Sequence, residues 1–356
     1  MAFDSYSDTS STGPAYTAAA AFAAENPVWD EAADVSGSDI EFSACPSWFM
    51  PGGTGTSVNE CVQVSAYRTE ARGNAIPTVL ASVLGSWMDV SATAIGYAMN
   101  GNVTACLKPF ASPDRWVEHY PTSGAWVSTA RFDIVDPSAA PALISPASAR
   151  DSYSFPGDTS AGTGFTKDSE FGLSITLSPG TTSSPISEIK PWLYLPVQIP
   201  GSQWGDNNVR ANTNACAGEP IAIGRVLNLA SGVAPAAAVG QGLLDLYNLD
   251  PDATWNAETQ RVENSCADFE VGRCATMSPR IIAVPVYDPK MLAEQSRAGT
   301  IASVKVRNIV GFFISSVNIG ANSVTGYITR HPGLRDPNAV ILSDASSFLR
   351  TSMLVQ

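Results

Sequence analysis

The chain has 356 residues, which is long enough to bury a large core in one or two domains. Only 15% of the residues are charged, well below the usual quarter, and 28 Gly and 25 Pro indicate many turns and loops. The net charge is −13, with only 20 Lys and Arg. Because phosphate backbones require clustered basic residues, nucleic acids and anionic membrane surfaces are excluded as partners.

No part of the sequence is apolar over the roughly 18–20 residues that a membrane-spanning helix needs. The longest apolar stretch near the start covers residues 18–24, and no basic residue precedes it, since Arg68 is the first Lys or Arg. This stretch therefore does not predict a secretory signal.

The first part of the chain is predicted to be a small α+β unit over residues 1–105. The alanine-rich segment 15–25 favours a helix that ends before Pro27. Alternating apolar residues predict strands over 40–42, 62–67 and 89–99. A short helix is predicted over 76–84, with Pro77 near its start and Gly85 at its end.

The rest of the chain, residues 106–356, is predicted to be a larger, loop-rich, mostly antiparallel β domain with a few short helices. Residues 106–235 are irregular, with strands over 171–177 and 192–199. Helices are predicted over 239–249 and 288–298. The remaining expected strands are 280–287, 303–317 (one strand or a pair), 324–329 and 348–355. The fold class is therefore α+β, richer in strand than in helix.

Cysteine usage indicates disulfide bonds. The six cysteines are Cys45, Cys61, Cys106, Cys216, Cys266 and Cys274. None forms Cys-x-x-Cys, and with only two histidines a zinc site has few ligands. Six cysteines allow 15 pairings; proximity in sequence favours Cys45–Cys61 and Cys266–Cys274, which leaves Cys106 with Cys216. The alternative is a set of buried thiols, but most of these cysteines lie among Gly, Asn and Ser. Disulfides predict an oxidising compartment.

Motifs for catalysis or cofactor binding are absent from the sequence. His119 and His331 lack a surrounding motif, and we interpret them as a packing or surface residue and a turn residue. Asp34, Ser36 and Ser38 match the Asp-x-Ser-x-Ser pattern of von Willebrand A-type metal sites. The residues before Asp34 do not form the apolar strand that such a site requires, so a turn is favoured and these three are weak metal candidates.

The segment that begins at Asp250 resembles the start of a calcium loop. Trp255 replaces the glycine at its sixth position and Arg261 replaces the glutamate at its twelfth. A helix end followed by an Asp-Pro turn is the better interpretation. We therefore predict no catalytic residue, no cofactor and no firm metal ligand.

Several segments resemble the bacterial TadE/TadG-like proteins of the Tad, or Flp, tight-adherence pilus assembly family. The clearest are 278–288 and 304–314, which are similar to the C-terminal part of these proteins. Further similar segments are 71–78, 83–85, 90–94, 104–109, 240–251, 324–327 and 347–351. The resemblance covers most of residues 15–356, and its motifs carry no chemistry.

The resemblance implies a non-enzymatic extracytoplasmic protein of the cell envelope or cell surface that acts in pilus assembly or adhesion. Its partners would be other pilus-assembly or envelope proteins, with self-association as a further expectation. Members of the family begin with a basic segment and one pilin-like membrane helix. This sequence has neither, so we expect an export signal and a membrane anchor upstream of it.

Two other functions fit the sequence. One is a self-assembling cell-envelope structural protein, in which the apolar strand at 309–317 would pair between subunits if it lay at a sheet edge. The other is a secreted carbohydrate-active hydrolase that uses acidic residues, with exposed Trp116, Trp126 and Trp204 stacking on sugars. No pair of catalytic carboxylates can be identified from spacing.

Overall fold

A computed structural model describes residues 16–17, 19–20, 34–43, 61–77, 87–120, 126–127, 129–136, 138–139, 142–157, 160, 162–180, 188–203, 206–216, 218–230, 235–267, 277–300 and 303–354. Strands outnumber helices in this part of the chain, and most strand pairs are antiparallel. The predicted α+β, β-rich fold class is confirmed.

The helices within the described ranges are α1 (Lys167–Glu170), α2 (Asp206–Asn214), α3 (Pro235–Leu249) and α4 (Pro289–Arg297). The strands of the N-terminal part are β1 (Ile40–Ser43), β2 (Cys61–Arg68), β3 (Ile76–Pro77), β4 (Trp87–Met88) and β5 (Val90–Asn100). The strands that follow are β6 (Val103–Thr104), β7 (Phe110–Pro113), β8 (Ser174–Pro179), β9 (Leu193–Pro196), β10 (Ile221–Ala222), β11 (Val226–Asn228), β12 (Thr254–Asn256), β13 (Arg261–Glu263), β14 (Ile281–Tyr287), β15 (Ser303–Asn318), β16 (Ser323–Thr329), β17 (His331–Pro332) and β18 (Leu349–Leu354). Short 3-10 turns lie at Gly37–Asp39, Glu70–Arg72 and Ala147–Ala149.

The chain divides into two compact units. Unit 1 comprises Met1–Met99 and Ser352–Gln356, and unit 2 comprises Asn100–Thr351. The first boundary therefore falls after Met99, whereas the boundary predicted from the sequence is after residue 105. The end of the chain belongs to unit 1.

In unit 1, β1, β2 and β5 form an antiparallel sheet. Ile40 lies opposite Val64, and Val64 lies opposite Ala94. The strands predicted over 40–42, 62–67 and 89–99 are confirmed, because their alternating apolar residues match the two-residue period of a pleated strand.

The predicted helix over 76–84 is wrong at its start. Ile76 and Pro77 form strand β3 and pair with β4, whereas 78–84 lie outside the described residues. Pro77 lacks a backbone N–H and is tolerated at a strand edge as well as in a first helical turn. Of the helix predicted over 15–25, the described residues Tyr16, Thr17, Ala19 and Ala20 are helical.

Unit 2 is built around a six-stranded sheet that closes on itself. The hydrogen-bonded order is β15, β14, β7, β9, β8 and β16, and β16 pairs again with β15. The β14–β7 and β8–β9 pairs are parallel, and the other four pairs are antiparallel. Strand β11 adds to the first part of β15.

Both faces of the closed sheet are buried. One apolar cluster takes side chains from all six strands, such as Phe110, Leu177, Val284 and Phe312, and therefore fills the interior. Alternate residues of the same strands, such as Ala111, Ala283 and Ile309, pack in a second cluster on the outer face. This is why 281–287 and 309–314 are almost continuously apolar rather than alternating.

The interior of the closed sheet leaves little free space. A gap beside Ser112, Trp192 and Phe312 leaves about 10 Å³ in which the centre of a water molecule can lie. This is room for about one water molecule. The Ser112 hydroxyl has no hydrogen-bond partner among the described residues. The interior is a packed core rather than a ligand cavity.

Strand β15 is central in the described part of the sheet. Its residues Gly311–Phe313 pair with β14 on one side and with β16 on the other. The condition for intersubunit pairing through 309–317, namely a free edge, is therefore not met at Gly311–Phe313. Among the described strands, Ile309 and Val310 pair with β14 alone, and Ser316 and Val317 pair with β16 alone.

Glycines make this closure possible at the β15–β16 pair. A Cβ atom at Gly326 would collide with the carbonyl oxygen of Phe313 and would lie 2.7 Å from Phe312 Cζ. A Cβ atom at Gly311 would collide with the backbone of Arg330. Since backbone atoms cannot move without breaking the ladder, only glycine fits at these two positions.

We expect Gly326→Ala to destabilise the fold by about 3 kcal/mol or more, because the added methyl group overlaps a backbone carbonyl in a packed sheet. Gly96→Ala is the matched control: Gly96 also lies within a strand, but its nearest neighbour is the Val62 carbonyl oxygen at 4.0 Å. The free energy of unfolding from denaturant titration measures both variants. Equal stability of the two variants would contradict this account of sheet closure.

Candidate functional site

A cluster of charged side chains lies at one end of the closed sheet. Asp114 follows β7 directly, and Asp288 follows β14. Since β7 and β14 run parallel, both carboxyl groups leave the sheet at the same end. The Asp114 backbone N–H donates to the Tyr287 carbonyl at 2.8 Å.

Asp114 is fully buried. Its carboxyl group accepts hydrogen bonds of 2.9 Å from the backbone N–H groups of Arg115 and Phe165 and from the Tyr153 hydroxyl. Burial raises the pKa of Asp114 to about 6, although these donors oppose the shift. A Cβ atom at Gly164 would lie 2.6 Å from the carboxyl group, so this close approach requires glycine.

The other carboxylates of the cluster are paired with arginine. Arg307 donates to one Asp288 oxygen at 2.7 and 2.9 Å, and the second Asp288 oxygen caps α4 by accepting from Met291 N–H. Arg115 donates to Glu170 at 2.8 Å. Every carboxyl group of this cluster has protein donors, and the cluster ties loops to the sheet.

A second group of acids surrounds the segment after β7. Asp151 accepts from the backbone N–H groups of His119, Tyr120 and Asp133, which fixes two loop segments to one carboxyl group. Glu118 is 8% exposed and accepts from Trp116 Nε1 at 3.0 Å. Burial raises the pKa of Glu118 to about 7.

Glu118 is the described group whose chemistry comes nearest to that of a general acid. A carboxyl group with a pKa near neutrality holds a proton that it can transfer at physiological pH. Sequence patterns do not indicate this pKa shift, because it arises from burial beside Trp116, which only the tertiary structure determines.

We expect Glu118→Gln to change how stability depends on pH. Native Glu118 binds its proton more tightly than the unfolded chain does, so its contribution is complete below the unfolded pKa of about 4.3 and is lost as pH rises through about 7. The variant lacks this loss, so its stability relative to the wild type should rise by about 1–3 kcal/mol between pH 4 and pH 8.

Denaturant unfolding between pH 4 and pH 8 provides the measurement. Glu258→Gln serves as the control, because Glu258 is exposed and its removal should leave the curve parallel to that of the wild type. If Glu118→Gln also gave a parallel curve, the carboxyl group would not be protonated in the native state at neutral pH.

The weak metal candidates lie beside an arginine in unit 1. Arg72 donates to Asp34 at 3.1 Å and to both oxygens of Asp39 at 2.6 and 2.7 Å. Ser36 Oγ donates to Asp39 at 2.6 Å and contacts Ser38 Oγ at 3.0 Å. Arg72 holds the pKa of Asp39 well below its usual range. The guanidinium supplies the positive charge at this turn.

Within the described ranges, no three His, Cys, Asp or Glu side chains are grouped to hold a metal ion. At the calcium-like segment, Asp250 instead accepts from Ser265 Oγ at 2.7 Å, Ser278 Oγ at 2.6 Å and the backbone N–H of Cys266 at 2.8 Å. Asp250 follows the end of α3, as the interpretation of a helix end and turn predicts, and it joins three segments.

The cysteine prediction is confirmed for one pair. Cys106 and Cys216 form a disulfide that links positions 110 residues apart. Cys61 and Cys266 are also disulfide-bonded, and their partners lie outside the described residues, as do Cys45 and Cys274. The predicted pairings of these four therefore stay predictions.

The aromatic residues proposed to stack on sugars are only partly described. The prediction that Trp116 is exposed is wrong: it is 2% exposed and packs edge-on against Trp126 and Phe132. Trp126 is half-buried and contacts Trp192 and Phe165, and Trp204 lies outside the described residues. Large rings in a loop-rich region pack on each other because the strands alone do not cover the core.

The two histidines occupy different environments. His119 is half-buried, and its Nδ1 lies 3.1 Å from the Val117 carbonyl. His331 lies in β17, not in a turn, and it is 5% exposed. Burial lowers the pKa of His331 to about 4, so its imidazole is neutral at physiological pH.

Comparisons of the chain with protein-family models, with curated proteins and with solved structures find no match. The resemblance to TadE/TadG-like proteins therefore has no independent support from these comparisons. No helix in the described part of the chain is long and apolar enough to cross a bilayer.

Proposed function

We propose that this chain is the extracytoplasmic part of a surface protein associated with Tad/Flp-type pilus assembly or adhesion, and that it catalyses no reaction. The observation that carries the proposal is the Cys106–Cys216 disulfide, together with the disulfide bonds of Cys61 and Cys266. Disulfides persist in oxidising compartments and are rare in the cytosol.

The similar segments support the same proposal through their structural roles. Segments 278–288, 304–314 and 324–327 contribute to β14, β15 and β16 of the closed sheet. Gly311 and Gly326, which lie in two of these segments, are required by backbone contacts. The resemblance thus rests on residues that build a scaffold, as expected of a protein whose role is to assemble or adhere.

Fewer observations support the hydrolase alternative than support the surface protein. Buried Trp116 removes one of its three sugar-stacking residues, and the raised pKa of Glu118 supplies an acid without an identified catalytic partner. A glycosidase screen in which Glu118→Gln abolished an activity of the wild type would favour the hydrolase over the surface protein.

We expect the endogenous protein to fractionate with sheared pili or with the cell envelope. Its intact mass without reductant should be lower than that of the reduced protein by two hydrogen atoms for each disulfide. It should also exceed 37.3 kDa if an anchor precedes the sequence. Mass spectrometry of fractions from sheared cells, checked against cytosolic and envelope marker proteins, provides the measurement.

A deletion strain tests the role in assembly or adhesion. Loss of the protein should reduce surface attachment or the amount of sheared filament, and the wild-type gene should restore it. A cytosolic protein with free thiols, or a deletion strain with normal filaments and attachment, would contradict the proposal.

A further inference from the structure

Lys108 is a buried cation that lacks an acidic partner in the described part of the chain. It is 3% exposed, and its Nζ donates to the Ala215 carbonyl at 3.2 Å. The other contact of Nζ is the sulfur of Cys106, at 3.9 Å. Burying an ammonium group without a compensating negative charge is unfavourable.

The sulfur atoms beside Lys108 belong to the Cys106–Cys216 disulfide. Cys216 is exposed, whereas Cys106 is half-buried on the side of the lysine. Because Cys216 is the exposed partner, an incoming thiolate would approach the bond from its side. The sulfur that would leave is the one next to the ammonium group.

We infer that the Cys106–Cys216 bond is a thiol-exchange site, in which Lys108 stabilises the thiolate that Cys106 becomes. The thiolate of an external thiol attacks Cys216 Sγ, a new disulfide forms between them, and the Cys106–Cys216 bond breaks. The bonding electrons stay on Cys106 as a thiolate. A second thiolate releases Cys216, and the external thiol leaves oxidised.

The reduced state supplies the negative charge that Lys108 lacks in the oxidised state. A nearby cation lowers the pKa of a thiol and improves it as a leaving group. Among the described residues, His331 lies close enough to Lys108 for the lysine charge to affect it. Burial lowers the pKa of His331 to about 4, so its imidazole is neutral and does not compete for the thiolate. Reduction is therefore favoured by the local charge balance.

The expected partner is a small thiol or an exposed cysteine of another protein. Glutathione is the probe for the test. The oxidised protein is equilibrated in native buffer at graded ratios of reduced to oxidised glutathione, then quenched with acid, alkylated and digested. Mass spectrometry of the cysteine peptides gives an equilibrium constant for each disulfide and locates any mixed disulfide.

We expect Cys106–Cys216 to open under milder conditions than the bonds of Cys61 and Cys266, with glutathione attached to Cys216. Lys108→Met keeps an unbranched side chain that is one atom shorter and removes the charge. It should shift the exchange equilibrium of this bond toward the disulfide by about tenfold or more.

Lys190→Met is the matched control, since Lys190 pairs with Glu188 at the surface. It removes the same charge and should leave the equilibrium unchanged. The inference is overturned if Lys108→Met also leaves it unchanged, or if Cys106–Cys216 is as resistant to reduction as the other two bonds.

A measurement on the wild type keeps the test independent of whether Lys108→Met folds. After native reduction, the alkylation rate of Cys106 should show an inflection below the ordinary thiol pKa of about 8.5, and that of Cys216 should not. An ordinary pKa at Cys106 would overturn the inference.

Discussion

The close contact between β15 and β16 is the constraint on which the rest of unit 2 depends. This pairing converts a row of strands into a closed sheet, and it forms only because Gly311 and Gly326 lack side chains. Closure encloses an interior that side chains must fill. The cluster that contains Phe110 and Phe312 fills it. Closure also leaves the outer face to be covered by the second cluster and by the loops that carry the buried acids.

The sequence predicted the elements whose signals are local. The apolar run at 281–287 and the helix that follows it were placed to within a residue or two, because Asp288 caps α4 and Pro289 starts it. The segment 303–317 was also identified, and it is one strand rather than two. The fold class followed from these elements, since their periodicities are visible without tertiary information.

The missed features depend on contacts between distant parts of the chain. Residues 106–235 were predicted to be mostly irregular, yet they contain β7, whose four residues end in Pro113 and pair with both β14 and β9. Helix α2 was missed because its sequence is polar apart from Val209 and Ala211. Asp114 and Glu118 were not singled out for the same reason: their pKa values are raised by burial, and burial is decided by segments far away in sequence.

The buried and half-buried cations of unit 2 differ in how completely their charge is compensated. Arg280 donates to the carbonyl groups of Asp250, Ala253 and Ile314, and its plane lies over the rings of Tyr247 and Phe313. The Arg307 guanidinium forms two hydrogen bonds with Asp288. Lys108 Nζ donates to one carbonyl group and contacts one sulfur atom. In a chain with so few charges, an uncompensated ammonium group beside a solvent-accessible disulfide marks that bond as chemically different from a purely structural crosslink.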